Sequence, residues 1–240
     1  MWALVHGSRA ALQDPEEPYD ASWDRNRRLV LEAEALGYDS TLIAQHTINP
    51  HGERDQLEAW TAAAALAGLT SADRDHHRHQ AAAVPPVVLA KMALQIEHIS
   101  KGRFALNLVN AWNRPEIERA GIPFPEHDAR YAYGREWIEV VRRLMQGERL
   151  TFQGEHFTVD GYQLRPADPF RARPRIYVGG EVYPRAGPGR GPGRCLVHQR
   201  PAARGRAGAD RRHGGAGRAT GRPPLRFGLS AFVIARRNPR

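Results

Sequence analysis

A chain of 240 residues with 41 % hydrophobic and 25 % charged residues has the composition of one large globular domain. No apolar run approaches the ~18 residues of a membrane-spanning helix. Residues 1–9 lack the charged start and apolar stretch of a signal peptide. The single cysteine, Cys195, cannot close an internal disulfide, so a cytoplasmic protein without a membrane partner is expected. The formal charge is +9, but residues 182–220 hold nine Arg against one acid, Asp210, and so carry +8 of it. The basicity belongs to one segment, not to the chain as a whole.

Ala3-Leu4-Val5 reads as a short strand ending at His6-Gly7. Residues 23–36 read as an amphipathic helix with Leu29, Ala33 and Leu36 on one face and Gly37 as its stop. A second strand, 40–44, leads to Gln45-His46-Thr47, and an Ala-rich helix follows over 57–69. A helix over 87–99 precedes a strand over 103–109 that ends at Asn110-Ala111-Trp112. Then come a helix near 130–145, a hairpin over 151–159, a strand over 175–178 ending at Gly179-Gly180, and a strand over 225–235. This alternation predicts a parallel α/β fold of the (β/α)₈ TIM-barrel type in a single domain over 1–240, with its C-terminal unit missing.

Two windows break the pattern. Residues 71–86 interrupt it with His76, His77 and His79, and 182–220 is Arg/Gly/Pro-rich with no strand or helix period. The histidines fit a metal site, a solvated loop, or a slip of reading frame; their spacing matches no standard ligand pattern. With suitable synonymous codons, residues 73–86 read in the next frame as IEIITAIKPLLYHP, a β-branched strand and a turn. Residues 195–202 similarly become AWFINGQP. Each shifted window supplies the strand that the alternation lacks, so 73–86 and 182–220 read as frame-shifted segments and the third and sixth strands as scrambled. On this reading the chain as written folds poorly and is inactive, its slips being either errors of sequencing or the marks of a decayed gene. The competing reading is a basic protein that binds RNA or another polyanion through 182–220, although no aromatic residue stacks between its arginines beyond Tyr183.

Five stretches carry a family resemblance: IEHISKGRFALNLVNAW (96–112), HDARY (127–131), FQGEHFTVDGYQLRP (152–166), PRIYVGGE (174–181) and RFGLSAFVIAR (226–236). Together they resemble the flavin-dependent monooxygenases of the bacterial luciferase superfamily, and within it the alkanesulfonate and dimethyl sulfone group. The resemblance implies an FMNH₂-dependent monooxygenase. Its reduced FMN would come from a separate NAD(P)H-dependent flavin reductase, O₂ would be co-substrate, and the substrate would be a small organic or organosulfur molecule. A deazaflavin is the alternative cofactor. A homodimer or homotetramer is expected, with no nucleic-acid partner and no metal.

In such barrels the site lies at the C-terminal ends of the strands, where His6, Gln45, His46, Asn110, Gly179 and Gly180 all fall. His6 and His46 are the catalytic candidates, as hydrogen-bonding or proton-transferring groups. Each also suits a strand-end His that bonds a neighbouring loop. The resemblance sets Asn110 against the flavin ring and Tyr131 near its phosphate. His127 lies four residues ahead of Tyr131 on the same helix face. Gly179-Gly180 allows close backbone approach to phosphate, though Glu181 and Val182 stand where the family has a small hydroxyl residue. Ser230 and Phe232 replace the Arg and His of the sulfonate enzymes, which favours a neutral substrate.

Overall fold

The computed structural model describes residues 1–8, 10–12, 14, 16–71, 74–80, 84–109, 113–171, 175–179, 195–198 and 226–229; for 74–80, 178–179, 195–198 and 226–229 it describes the backbone. The chain divides into two units, Met1–Ile176 and Tyr177–Arg240.

In the first unit, helix α1 (Trp23–Ala35) starts at Ser22, whose hydroxyl accepts the Arg25 N–H at 3.3 Å. Its buried stripe is Asn26, Val30 and Ala33, while Leu36 is 78 % exposed. The predicted face through Leu29 and Leu36 is therefore rotated. The cause is polar: the Asn26 amide donates to the carbonyls of Leu4 (3.2 Å) and Ser22 (3.0 Å), turning that side of the helix inward.

Strand β1 (Ser40–Ala44) is followed by α2 (Ala59–Leu69), β2 (Arg74–Gln80), α3 (Pro86–Ile99) and β3 (Ala105–Val109). Helix α2 is capped by the Glu58 carboxylate, which accepts the N–H groups of Trp60 (2.9 Å) and Thr61 (2.6 Å). The three strands are parallel, with β2 between the others: Ser40 aligns with Arg74 and Ala44 with Arg78, then His76 with Ala105 and Gln80 with Val109. The alternation predicts this βαβαβ order, and each crossover carries one helix. The predicted first strand is reduced to a single parallel bridge between Trp2 and Leu42, because the chain turns at Val5-His6.

Strand β2 falls on the first shifted window. The sequence there reads Arg-Asp-His-His-Arg-His-Gln, yet its backbone is extended and paired on both edges. Local preference is overridden by two neighbouring strands that offer complete ladders.

After β3, a short helix α4 (Arg114–Arg119) that the sequence reading does not anticipate precedes α5 (His127–Met145), which begins three residues ahead of its predicted start. Strands β4 (Leu150–Gln153) and β5 (Thr158–Tyr162) form the expected antiparallel hairpin. Its turn is held by the Glu136 carboxylate of α5, which accepts the N–H groups of Glu155 and His156, both at 2.9 Å. The core packs Ile43, Leu66, Leu89, Phe104, Leu106 and Trp137, all essentially without exposed surface. Burial of apolar surface on this scale is the main stabilising term.

The second unit contains parallel strands: β6 (Ile176–Gly179), beginning at the last residue of the first unit, β7 (Cys195–His198) and β8 (Arg226–Leu229). Tyr177 aligns with Cys195, and Cys195 with Arg226. Strand β7 falls on the second shifted window, where AWFINGQP begins. Among the described residues no helix is long and apolar enough to cross a membrane, and no group of His, Cys, Asp or Glu is arranged to hold a metal.

Candidate functional site

The C-terminal end of β1 delivers Gln45 and His46, both buried. The His46 Nδ1 lies 2.7 Å from Oε2 of Glu116, a residue of α4 that is 4 % exposed. Oε1 of Glu116 accepts the backbone N–H of Thr47 and, at 3.1 Å, the Thr47 hydroxyl. Asn113, just ahead of α4, donates its amide to Oε2 at 3.2 Å. The Gln56 amide donates to the His46 carbonyl, which fixes the backbone at the strand end. Burial by itself would raise the Glu116 pKa. The hydrogen bonds from His46 and Thr47, with the attraction of His46, outweigh it and hold the carboxyl below its ordinary value. Glu116 is thus an ionised, acceptor-only group packed against an imidazole.

His6 occupies the turn after the N-terminal bridge. Its carbonyl accepts from the Tyr19 hydroxyl and, at 3.2 Å, from the Asn49 amide, which also donates to the Asp55 carbonyl at 3.1 Å. Gly7 has φ +77°, and a Cβ there would run into the Tyr19 ring, so the turn requires glycine. The loop after β1 therefore fixes the His6 backbone as well as His46. The His6 ring lies 5.8 Å from that of His51 on the same loop.

His127 and Tyr131 meet as predicted, one turn apart on α5, with ring centroids 4.6 Å apart. His127 is exposed and its Nδ1 lies 2.9 Å from Asp128. Tyr131 is half-buried, which raises its hydroxyl pKa. The guanidinium groups of Arg114 (4.6 Å) and Arg130 (4.3 Å) both lie over the Phe124 ring, tying α4 to the start of α5. Gly179 closes β6 in the second unit; Asn110 and Gly180 lie outside the described residues.

Three residues escape the sequence reading. Glu116 lies on the helix that the sequence did not announce. Asn107 is 2 % exposed in β3, three residues before the predicted Asn110, and its Oδ1 finds no hydrogen-bond partner among the described residues. Arg130 has a buried Nε in the same state, while its Nη1 donates to the Pro125 carbonyl at 2.7 Å. A buried amide oxygen and a buried guanidinium N–H are costly to leave without partners. The first suits a donor N–H and the second an acceptor. A polar Asn inside an otherwise apolar strand, in ALNLV, was the available signal.

The chain is 32 % identical over 161 residues to the pyrimidine monooxygenase RutA of Acinetobacter baylyi, covering 65 % of this chain and 44 % of that protein. It thus spans less than half the length of this curated relative. The EDTA monooxygenase EmoA of Chelativorans sp. BNC1 shares the fold over 95 % of this chain and 59 % of its own, with a TM-score of 0.73 at 20 % identity. A riboflavin lyase, RcaE, solved with modified FMN, superposes over 87 % of this chain and 55 % of its own with a TM-score of 0.71 at 18 % identity. An F420-dependent secondary alcohol dehydrogenase does so over 86 % and 63 %, with a TM-score of 0.68 at 18 % identity. These neighbours establish the fold class expected from the alternation. The family model for luciferase-like monooxygenases matches residues 1–240, and the chain belongs to the luciferase-like monooxygenase family.

Proposed function

We propose that this chain descends from, and in its proper reading frame is, a two-component monooxygenase that uses O₂ and FMNH₂ from a separate flavin reductase to oxygenate a small neutral substrate. The observation that carries the reading is the buried His46–Glu116 pair at the C-terminal end of β1, the end at which barrel enzymes of this type build their sites. The chemistry that reduced flavin supplies when bound is activation of O₂. The protein's own residues bind, orient and exclude water. The orphaned Asn107 Oδ1 would take a ring N–H, and Arg130 and Tyr131 would meet the phosphate. Asn110, His127 and the Gly179-Gly180 pair keep the cofactor roles that the family pattern implies. His46 acts as the acid or base, and His6 lies in the neighbouring turn.

The substrate reading is a pyrimidine. The named activity of the relatives supports it, as does a C-terminal segment with Ser230 and Phe232 where an anion-binding enzyme has charge. The test supplies reduced FMN, O₂ and uracil to the purified protein restored to frame over both windows and measures an oxygenated product by mass spectrometry. Turnover with a deazaflavin and none with FMNH₂ would overturn the cofactor.

The frame-slip reading belongs to the same proposal. Strand β2 lies between β1 and β3, and all five β3 residues are buried. A strand between parallel partners is covered on both faces and reads apolar. The shifted reading over 74–80, EIITAIK, meets that demand where Arg-Asp-His-His-Arg-His-Gln does not. Resequencing the gene across codons 70–90 and 180–222 tests it: single-base errors would give a near-neutral enzyme, and an unchanged sequence would refute the slip as an error of sequencing.

A further inference from the structure

Glu116 offers more than burial. An ionised carboxylate has no proton to give, so every group against it must donate. Thr47 does so through its N–H and its hydroxyl, and Asn113 through its amide. His46 Nδ1, at 2.7 Å from Oε2, must therefore carry a hydrogen. We propose that Glu116 is the positioning residue of His46: it accepts the Nδ1–H, fixes the ring plane and tautomer, and leaves Nε2 as the nitrogen that exchanges a proton with the reacting substrate. This rests on the reading of His46 as the acid or base.

The arrangement separates two jobs. The Gln56 amide on the His46 carbonyl fixes the backbone, and Glu116 fixes the ring. Because α4 is short and joined to α5 through Arg114 and Arg130 over the Phe124 ring, the carboxylate is supplied by one segment and the imidazole by the strand end. The site is complete only when the excursion after β3 is docked on the loop after β1.

Glu116→Gln exposes the role. The substituted side chain has one oxygen and one NH₂ group. Its oxygen satisfies the Thr47 N–H, which can only donate, and its NH₂ then faces His46 and Asn113. Asn113 can turn its own oxygen towards it. His46 can answer only by accepting at Nδ1, which moves the proton to Nε2 and removes the lone pair from the reacting side.

The experiment labels histidine with ¹⁵N in the full chain as written, and in parallel in the full chain carrying EIITAIK at 74–80. Ring tautomers are read from long-range ¹H–¹⁵N correlations, with His46 assigned by its loss in His46→Gln. The expected result is a hydrogen on Nδ1 in the parent and a transfer to Nε2 in Glu116→Gln. Thr47→Val, which removes one donor without touching the imidazole, keeps the parent pattern. In turnover, measured on the chain restored to its proper frame over both windows, Glu116→Gln lowers kcat roughly 10- to 100-fold with KM and FMN affinity unchanged, and Glu116→Asp recovers part of the loss. A parent His46 with its hydrogen on Nε2, or a tautomer that ignores Glu116→Gln, overturns the proposal. The expected tautomers without turnover of uracil in the chain restored to frame over both windows uphold the positioning and remove the substrate assigned above.

Discussion

Two buried carboxylates, at opposite ends of the parallel strands, show how differently one unit uses the same chemical group. Glu97, near the end of α3 and 2 % exposed, lies at the N-terminal end of β3. It accepts the Phe104 N–H at 2.9 Å and pairs with Arg171 at 3.0 Å, whose Nη1 donates to the Phe104 carbonyl at 3.0 Å. Arg103 tightens this end further by donating to the carbonyls of Ala67 (2.9 Å), Thr70 (2.8 Å) and Ser100 (2.8 Å). Burial pushes the Glu97 carboxyl up to about 7, against the pull of Arg171, and Asp168 nearby adds to the rise. Glu116, at the other end, is held below its ordinary value by its donors. The first carboxylate closes a structure; the second keeps its charge and holds a histidine. The number and polarity of donors, not depth of burial, decide which.

The largest expected effect breaks the structural end. Arg171→Ala leaves the Glu97 carboxylate buried with its charge partner gone, and at pH 8 should cost about 3–5 kcal/mol in urea unfolding. At pH 5, where Glu97 is protonated, the loss should be much smaller. An equal loss at both pH values would deny the elevated carboxyl.

A second measurement sharpens the contrast through pH. A carboxyl raised from 4.5 to about 7 on folding binds its proton more tightly in the folded protein. Its contribution is therefore present below pH 4.5 and is lost as pH rises to about 7, roughly 3 kcal/mol in all. Glu97→Gln should flatten that slope. Glu116 has the opposite sign: its contribution is present above 4.5 and is lost as pH falls through its lower folded value. Thermal melts in steps from pH 3 to 8 would resolve the two windows, and Glu116→Gln should leave the slope between 4.5 and 7 intact.

A smaller effect is expected on stability from Glu116→Gln itself, about 1–2 kcal/mol above pH 5, since the neutral amide can still accept the Thr47 N–H. The smallest concerns α5. His127→Ala, at an exposed position, should change unfolding free energy by less than about 0.5 kcal/mol. Tyr131→Phe should weaken FMN binding a fewfold by fluorescence titration, with the melt unchanged. A collapse of the fold in either would place this helix start with the structural end instead.

Much of the scaffold was legible because periodicity and punctuation are local. Strand β1 matches its predicted bounds, and α2, α3 and α5 begin within three residues of theirs. The errors come from contacts that the local pattern does not carry. The buried face of α1 turned on the Asn26 amide, whose partners lie at Leu4 and Ser22. The first strand shrank to a bridge because the Gly7 turn, pressed on by Tyr19 from 12 residues away, begins too soon. His46 could be placed at a strand end from sequence, whereas Glu116 could not be read as its partner. No local rule joins residues 70 positions apart.

The amino-acid sequence by itself determined the alternation of strand and helix, the position of His46 after a strand end, the family motifs, and the two windows whose composition contradicts their place. Only the tertiary structure decided that a polar segment runs extended between β1 and β3 and that an unannounced helix brings a carboxylate to His46. It also decided that two glutamates of similar burial titrate in opposite directions. The physical reason is the same in each case. Propensity acts through neighbours in sequence, but hydrogen-bond satisfaction and desolvation act through neighbours in space, and buried polar groups are governed by the second.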